Sequence, residues 1–282
     1  MYSRVVRNVG VREKWVNLKH QIRKSSAFVP KDFQDTRSIC FESNRLSGYS
    51  LIGGSKFSYI YQKHTRPMAT YKGKLNYKLI TTNEKEEVVE FLKKNFYADE
   101  PITRYIDVLG NPNSVKSLSQ FSTKSLGQNI SLLTRSETGE LVGICLNSIK
   151  AKDDPEDEPI TDPIFGKIAK LLGFAYEESK VFEKFPDIDR VLSVDIISVD
   201  REFQGHGIAK ILMDKTRDLA REKGIKMIRV DCTSYFSARA SEKLGMECVY
   251  ELKYADYKED GVQVFNPEPP HTGLKVYVQR LD

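Results

Sequence analysis

The chain has 282 residues, 40% of them hydrophobic and 29% charged, with a formal net charge of +5. That length holds one large domain, or one of ordinary size with an appendage, and the composition excludes fibrous and membrane-built chains. No apolar run approaches the ~20 residues of a spanning helix, and no apolar segment with a small-residue cleavage site follows Met1, so the chain reads as intracellular.

The charge is unevenly placed. Among the first thirty positions Arg4, Arg7, Arg12, Lys14, Lys19, Arg23 and Lys24 face only Glu13. Residues 1–75 show no sustained periodicity and too little apolar material to offset ordering entropy, so they are expected to be a disordered basic extension. A mitochondrial transit segment is the sharper alternative, and Met68 offers a second start. His20 and His64 lie in this stretch and carry no reading.

From Tyr77 the texture alternates between strand and helix. A strand is predicted at Tyr77–Ile80, then a helix capped by Asn83 with Glu86 completing a capping box, its apolar face formed by Val88, Val89, Leu92 and Phe96. It runs into the loop Asp99-Glu100-Pro101. Strands at Ser131–Thr134 and Leu141–Ser148 flank the turn Ser136–Gly139 as a hairpin. Lys152–Pro163 reads as a surface loop, and Ile164, Ile168, Leu171, Leu172 and Tyr176 mark a helix. A strand at Val191–Val199, a helix over Gly207–Lys223, a strand at Met227–Cys232, a helix over Ser237–Leu244 and strands at Cys248–Leu252 and Leu274–Val278 complete the pattern. This alternation predicts an α/β sheet with helices on both faces. Cys40, Cys145, Cys232 and Cys248 stand singly, without metal or redox spacing, and read as reduced core thiols; no metal is expected.

The most informative stretch is Leu192–Lys210, LSVDIISVDREFQGHGIAK. A strand ends at Val199, and Gln204-Gly205-His206-Gly207-Ile208-Ala209-Lys210 opens a helix with Ile208, Ile211, Leu212 and Leu219 inward. Glycines there admit a ligand close to the backbone, and the free N–H groups and helix dipole suit a pyrophosphate. Gly-x-Gly alone is a weak signal. A Rossmann unit lacks its third glycine here, although Asp231 closes the next strand, and a Walker loop lacks its Gly-Lys-Ser/Thr. His206 sits inside the turn, where an imidazole would answer a phosphate, though side chains at such places also point to solvent.

Gln204, Gly207 and Ala209 match the Gln/Arg-x-x-Gly-x-Gly/Ala signature of the GNAT acetyltransferase superfamily. Val230–Arg239, Glu242–Met246, Tyr254–Lys258, Phe96–Pro101 and the Phe265–Arg280 tail resemble insect arylalkylamine N-acetyltransferases. The resemblance covers about residues 77–281. It implies a GNAT domain over 76–282, with a mixed, largely antiparallel central sheet flanked by helices and a V-shaped splay between the strands that bind coenzyme A. It implies acetyl-CoA as cosubstrate and an arylalkylamine acceptor of the dopamine, serotonin, tryptamine or octopamine type. Polyamines, other amines or longer acyl donors stay open, and a monomer without nucleic-acid or membrane partners is expected. An inactive CoA-binding regulatory module is the alternative from another class, and anion binding by the basic extension a third.

An alkylamine, with a pKa near ~10.4, is protonated at pH 7 and needs a base before it can attack a thioester. Glu100, beside Pro101 after an apolar helix, stands where partial desolvation raises a carboxyl's pKa. The resemblance assigns the same role to the glutamate of the family's Asp-Glu-Pro motif. It also places the oxyanion donor among the backbone N–H groups of Ile197, Ser198 and Val199, on a strand that pairs with the pantetheine arm. Thr233 and Ser237 resemble the hydroxyl positions implicated in the insect enzymes, and Ser237 also borders the cofactor. Yet Thr233, Ser234 and Ser237 equally suit a helix cap. Ser241 occupies the place of a tyrosine acid found in many superfamily members, which excludes that acid. Tyr235 and Tyr257 read as aromatic wall or core. His271 reads as a pocket residue or as a structural hydrogen-bond partner.

Overall fold

The computed structural model describes residues 73–155, 158 and 160–281; the basic extension up to residue 72, with Met68 and Cys40, lies outside them. The strands are β1 (Asn76–Leu79), β2 (Leu132–Arg135), β3 (Leu141–Ala151), β4 (Arg190–Val199), β5 (Met227–Cys232), β6 (Glu247–Lys253), β7 (Lys258–Glu259), β8 (Val262–Gln263) and β9 (Gly273–Arg280). The helices are α1 (Lys85–Leu92), α2 (Pro101–Tyr105), α3 (Pro112–Thr123), α4 (Phe165–Ser179), α5 (Val181–Lys184), α6 (Ile208–Glu222) and α7 (Tyr235–Lys243). Seven strands form one sheet in the order β1-β2-β3-β4-β5-β9-β6, and β7 pairs with β8 apart from it. Only β4 and β5 run parallel; the other pairs in the sheet are antiparallel. The sheet is mixed and largely antiparallel, as the resemblance implies, and β9 returns to lie between β5 and β6.

Each face of the sheet buries its own core. One holds Val88, Leu92, Ile102, Leu118, Phe165, Leu171 and Phe174 from α1 to α4 against Leu146 and Ile196. The opposite face buries Ile208, Leu212 and Met213 of α6 and Ala238 of α7 against Leu192, Val194, Ile228 and Val230. Leu192 and Val194 face one core and Ile196 the other, because an extra residue, Asp195, shifts the period-of-two alternation of β4.

Several local expectations are corrected. The first helix is capped two residues earlier than Asn83: Thr81 and Glu84 form the capping box over a 3-10 turn. After Leu92 the chain widens into a π-helical turn, Lys93–Tyr97, and Phe96 is only partly buried while Asn95 and Tyr97 go inward. Helices α2 and α3 were not foreseen, although each begins with proline at its first turn and a capping side chain, Glu100 and Asn111. Helix α7 begins two residues before Ser237. Ile211 is exposed, and Met213, Thr216 and Ala220 complete the inward face of α6. Cys145 and Cys232 are core thiols, and burial pushes them up to about 12 and about 11; Cys248 is exposed on β6.

Gly273 faces Lys253 across β9 and β6, where an added Cβ would fall on the Leu252 carbonyl oxygen and 3.1 Å from the Lys253 Cα. Backbone cannot yield as a side-chain tip can. Gly273→Ala is expected to destabilise the fold by about 1–3 kcal/mol, read as a lower urea midpoint with unchanged slope.

Candidate active site

β4 and β5 pair only from Leu192–Ile228 to Val194–Val230. Beyond that point β4 runs on through Val199 while β5 ends at Cys232, so the two strands part. A bulge accompanies the parting: Leu146 pairs with Ile196 and Asn147 with Val194, leaving Asp195 as the extra residue. Ile197, Ser198 and Val199 keep their partners Cys145, Ile144 and Gly143 on β3. Their other edge carries backbone groups with no strand beside them, which suits an extended amide-bearing ligand. This is the V-shaped splay.

The turn after β4 is held from within. The Asp200 carboxylate accepts from the Glu202 N–H at 3.0 Å and from Lys94 Nζ at 2.9 Å, and Gln204 Nε2 donates to the Val199 carbonyl at 3.1 Å. Gly205 and Gly207 have φ of +81° and +78°, a conformation costly to other residues. Gly207 caps α6 without any side-chain hydrogen bond, and among the described residues the N–H groups of the first turn, from Ile208 to Lys210, have no side-chain acceptor. A Cβ on Gly205 would meet nothing within 4 Å, which leaves open space beside the turn. Pyrophosphate fits this cradle on both counts, charge and room.

Three tethers bring the α1–α2 connection to the same place. Lys94 pairs with Asp200, Ser198 Oγ donates to the Asn95 carbonyl at 3.2 Å, and Arg201 forks onto Asp99 at 2.6 and 3.1 Å. Glu100 follows as the N-cap of α2 and is 9% exposed. Its Oε2 accepts from the Thr103 N–H at 2.7 Å and the Thr103 hydroxyl at 2.6 Å, and its Oε1 accepts from the Thr233 hydroxyl at 2.8 Å. The structure thus joins Glu100 to Thr233. Ser237 is not joined to them: its hydroxyl shares a capping box with Ser234, 2.9 Å away, and donates to the Ser234 carbonyl at 3.0 Å. Ser241 is buried with its Oγ 3.4 Å from Cys232 Sγ.

Buried aromatic residues pack behind Glu100 as core, and exposed ones flank it. The Tyr254 hydroxyl donates to the Thr233 carbonyl at 2.6 Å, and burial, with Glu100 next, holds its proton well above the ordinary range. Phe265 lies between Tyr254, buried Tyr257 and the half-exposed Tyr105, with ring centroids at 5.9, 6.1 and 6.5 Å. Exposed Tyr235 and Phe236 stand near His271, whose Nδ1 accepts from the Tyr235 N–H at 3.2 Å. His271 therefore makes the structural bond, and desolvation followed by the charge of Arg104 lowers its pKa.

The acetyltransferase (GNAT) family pattern matches residues 86–246, more than half of the chain. This chain belongs to the GNAT acetyltransferase family. It is similar to the crystal structure of arylalkylamine N-acetyltransferase 2 from Aedes aegypti, at 32% identity over 74% of this chain and 99% of that one, with a TM-score of 0.67. A mosquito arylalkylamine N-acetyltransferase like 5b gives 25% identity over 74% and 100%, with a TM-score of 0.65. Drosophila melanogaster polyamine N-acetyltransferase, an enzyme that forms N-acetylagmatine, gives 23%, 74%, 100% and 0.65, and its likeness speaks to the fold alone. The GNAT chain is accordingly an acyltransferase that uses acetyl-CoA as cosubstrate.

One residue of this GNAT site escaped the sequence reading. Asp195, on the bulge, is open to solvent within a strand whose neighbours are buried, and accepts from the Ser148 hydroxyl at 3.1 Å. Desolvation by the surrounding protein raises it from 3.8 to about 6, opposed by Ser148, Ser193 and Lys150 and helped by Asp231. The carboxylate is open to solvent, which screens part of this effect. A charged residue inside VLSVDIISV was the available signal. An acid with a raised folded pKa costs stability once ionised, a cost absent below about pH 4 and growing through about pH 6. Asp195→Asn is expected to raise the melting temperature of the ligand-free protein at pH 8, with the gap to wild type closing by pH 4. A gap independent of pH would show that no raised titration exists.

Proposed function

We propose that the chain transfers the acetyl group of acetyl-CoA directly to the primary amine of a small arylalkylamine, of the dopamine, serotonin, tryptamine or octopamine type, as a monomer in the cytoplasm. The observation that carries the transfer is the Glu100 carboxylate, held by Thr103 and Thr233 beside the open edge of β4. The exposed rings of Tyr105, Tyr235 and Phe236, on the helices that start at Glu100 and just after Thr233, support an acceptor with a ring. The 32% identity to an arylalkylamine enzyme supports the same class.

The residues divide the work as follows. The N–H groups at Gly205–Lys210 hold the diphosphate, and the β4 edge at Ile197–Val199 aligns the pantetheine arm. Glu100 removes a proton from the bound ammonium, and the freed nitrogen attacks the thioester carbon. A β4 N–H steadies the oxyanion while the C–S bond breaks, and the leaving thiolate takes up a proton. Thr233 orients the Glu100 oxygen that faces β5. Ser237, committed to the α7 cap, bounds the cofactor side and would have to leave that cap to supply the last proton.

Glu100→Gln keeps shape and removes basicity; kcat/KM at pH 7 is expected to fall 10²- to 10⁴-fold and to recover in part near pH 10, where free amine accumulates. Full rate at pH 7 in steady-state thiol-release assays removes Glu100 from the mechanism. Gly207→Val places a β-branched residue at φ +78° in the cradle, and KM for acetyl-CoA is expected to rise at least tenfold. A panel of aryl and alkyl amines with acetyl-CoA, read by release of free thiol, decides the acceptor class. Indifference to coenzyme A at millimolar levels would remove the proposal.

A further inference from the structure

Residues of β3, β4 and β5 that face α4 form a polar row. Arg229 is 2% exposed and donates to both oxygens of Asp231, at 2.8 and 3.1 Å, and to Ser179 Oγ at 3.0 Å; its guanidinium lies 4.6 Å from the Tyr176 ring centre. Two residues along β5 from Asp231 comes Thr233, which holds Glu100. Across from Asp231, at the apex where β4 leaves β5, stands Asp195, bonded to Ser148 on the same face. These side chains share one sheet face because strand alternation puts Arg229, Asp231 and Thr233 together, while the bulge turns Asp195 to join them.

Asp231 is neutralised by Arg229. Asp195 makes no ion pair with any described residue; it has two hydroxyls, Ser148 and Ser193, and only the more distant charge of Lys150. A carboxylate open to solvent among buried neighbours, without a cation paired to it, at the apex of the strand gap is poised for a ligand donor. Two residues of strand and one interstrand gap, about 8 Å in all, separate it from Thr233, whose hydroxyl holds Glu100. That is about the reach from the nitrogen of a phenylethylamine to a hydroxyl on its ring.

We propose that Asp195 reads the far end of the acceptor, accepting a hydrogen bond from a donor about 8 Å from the reacting nitrogen and so selecting ring-hydroxylated arylalkylamines over unsubstituted ones. The assignment rests on the acceptor class proposed above. The shared chemistry is a distal donor, so the second ammonium of an alkyl diamine is the competing source. The charges that act on the carboxylate are Lys150 on β3 and Asp231 on β5, the latter paired with Arg229, which lies against Tyr176 of α4.

The experiment compares the wild-type protein with Asp195→Asn and Asp195→Ala, using two matched pairs, tyramine against phenethylamine and putrescine against butylamine. The readout is the ratio of kcat/KM within each pair. The wild-type ratio for tyramine over phenethylamine is expected to exceed 10 and to fall 10- to 100-fold in Asp195→Ala, carried by KM. Asn retains an acceptor oxygen and should fall between the two. A ratio unmoved by either variant, or an equal loss on both members of the pair, overturns the role and leaves Asp195 a structural feature of the bulge. Selectivity confined to putrescine, and lost in Asp195→Ala, would overturn the ring-hydroxyl choice and the arylalkylamine reading together, while Asp195 would stand as the reader of the distal donor. Selectivity among the aromatic amines that survives Asp195→Ala would leave the arylalkylamine reading intact and remove Asp195 alone.

Discussion

The parting of β4 from β5 beyond Val194 and Val230 is the constraint on which the site depends. Parallel strands in register would satisfy one another's backbone groups and leave nothing for a ligand. The bulge at Asp195 turns β4 away while β3 keeps hold of its other edge, so Ile197–Val199 stay extended with one side free. The same bend sets the entry of the Asp200–Gly207 turn, and hence the aim of the first turn of α6. Cofactor binding in this fold therefore costs few side chains: it draws on backbone that the sheet has left unpaired and on a helix start that no side chain caps.

Acid–base chemistry is added from the other direction. Glu100 comes from the short connection between α1 and α2, and such a connection would ordinarily move. Lys94, Asn95 and Asp99 each tie it to β4 or to the turn behind it, and α2 begins on the carboxylate itself. The hydrogen bonds from Thr103 fix Oε2 and leave Oε1 to Thr233, so one oxygen serves the cap and the other faces the strand gap. A base that is also an N-cap is restrained in a way that a surface glutamate is not.

Much of this was legible in the residues. The strands showed as β-branched runs, and Gly205 and Gly207 marked the cradle, because those signals are local. Glu100 was found from its setting and from resemblance, but its contact with Thr233 spans 133 positions and no spacing foretells it. The place of β9 between β5 and β6 was hidden for the same reason. Helices α2 and α3 were missed although Pro101, Asn111 and Pro112 announced their starts, since their apolar faces are short and irregular. At the start of α7 the hydroxyl residues suit a cap or the site equally, and Ser234 and Ser237 form the cap.

Arg229 explains why the polar row does not neutralise itself. Its charge is spent on both oxygens of Asp231, a further donor goes to Ser179, and its flat face meets Tyr176. A guanidinium so committed cannot swing 5 Å or so across the strand gap to Asp195 without leaving Asp231 as an uncompensated buried charge. The pair is thus a fixed partition, and beside it Asp195 is the acid left over. The donor half of the site is built from peptide groups that almost any sequence compatible with the bulge would supply. The acceptor half is built from side chains that one substitution can change. Relatives sharing this fold can therefore keep one cosubstrate while differing in the amine they accept.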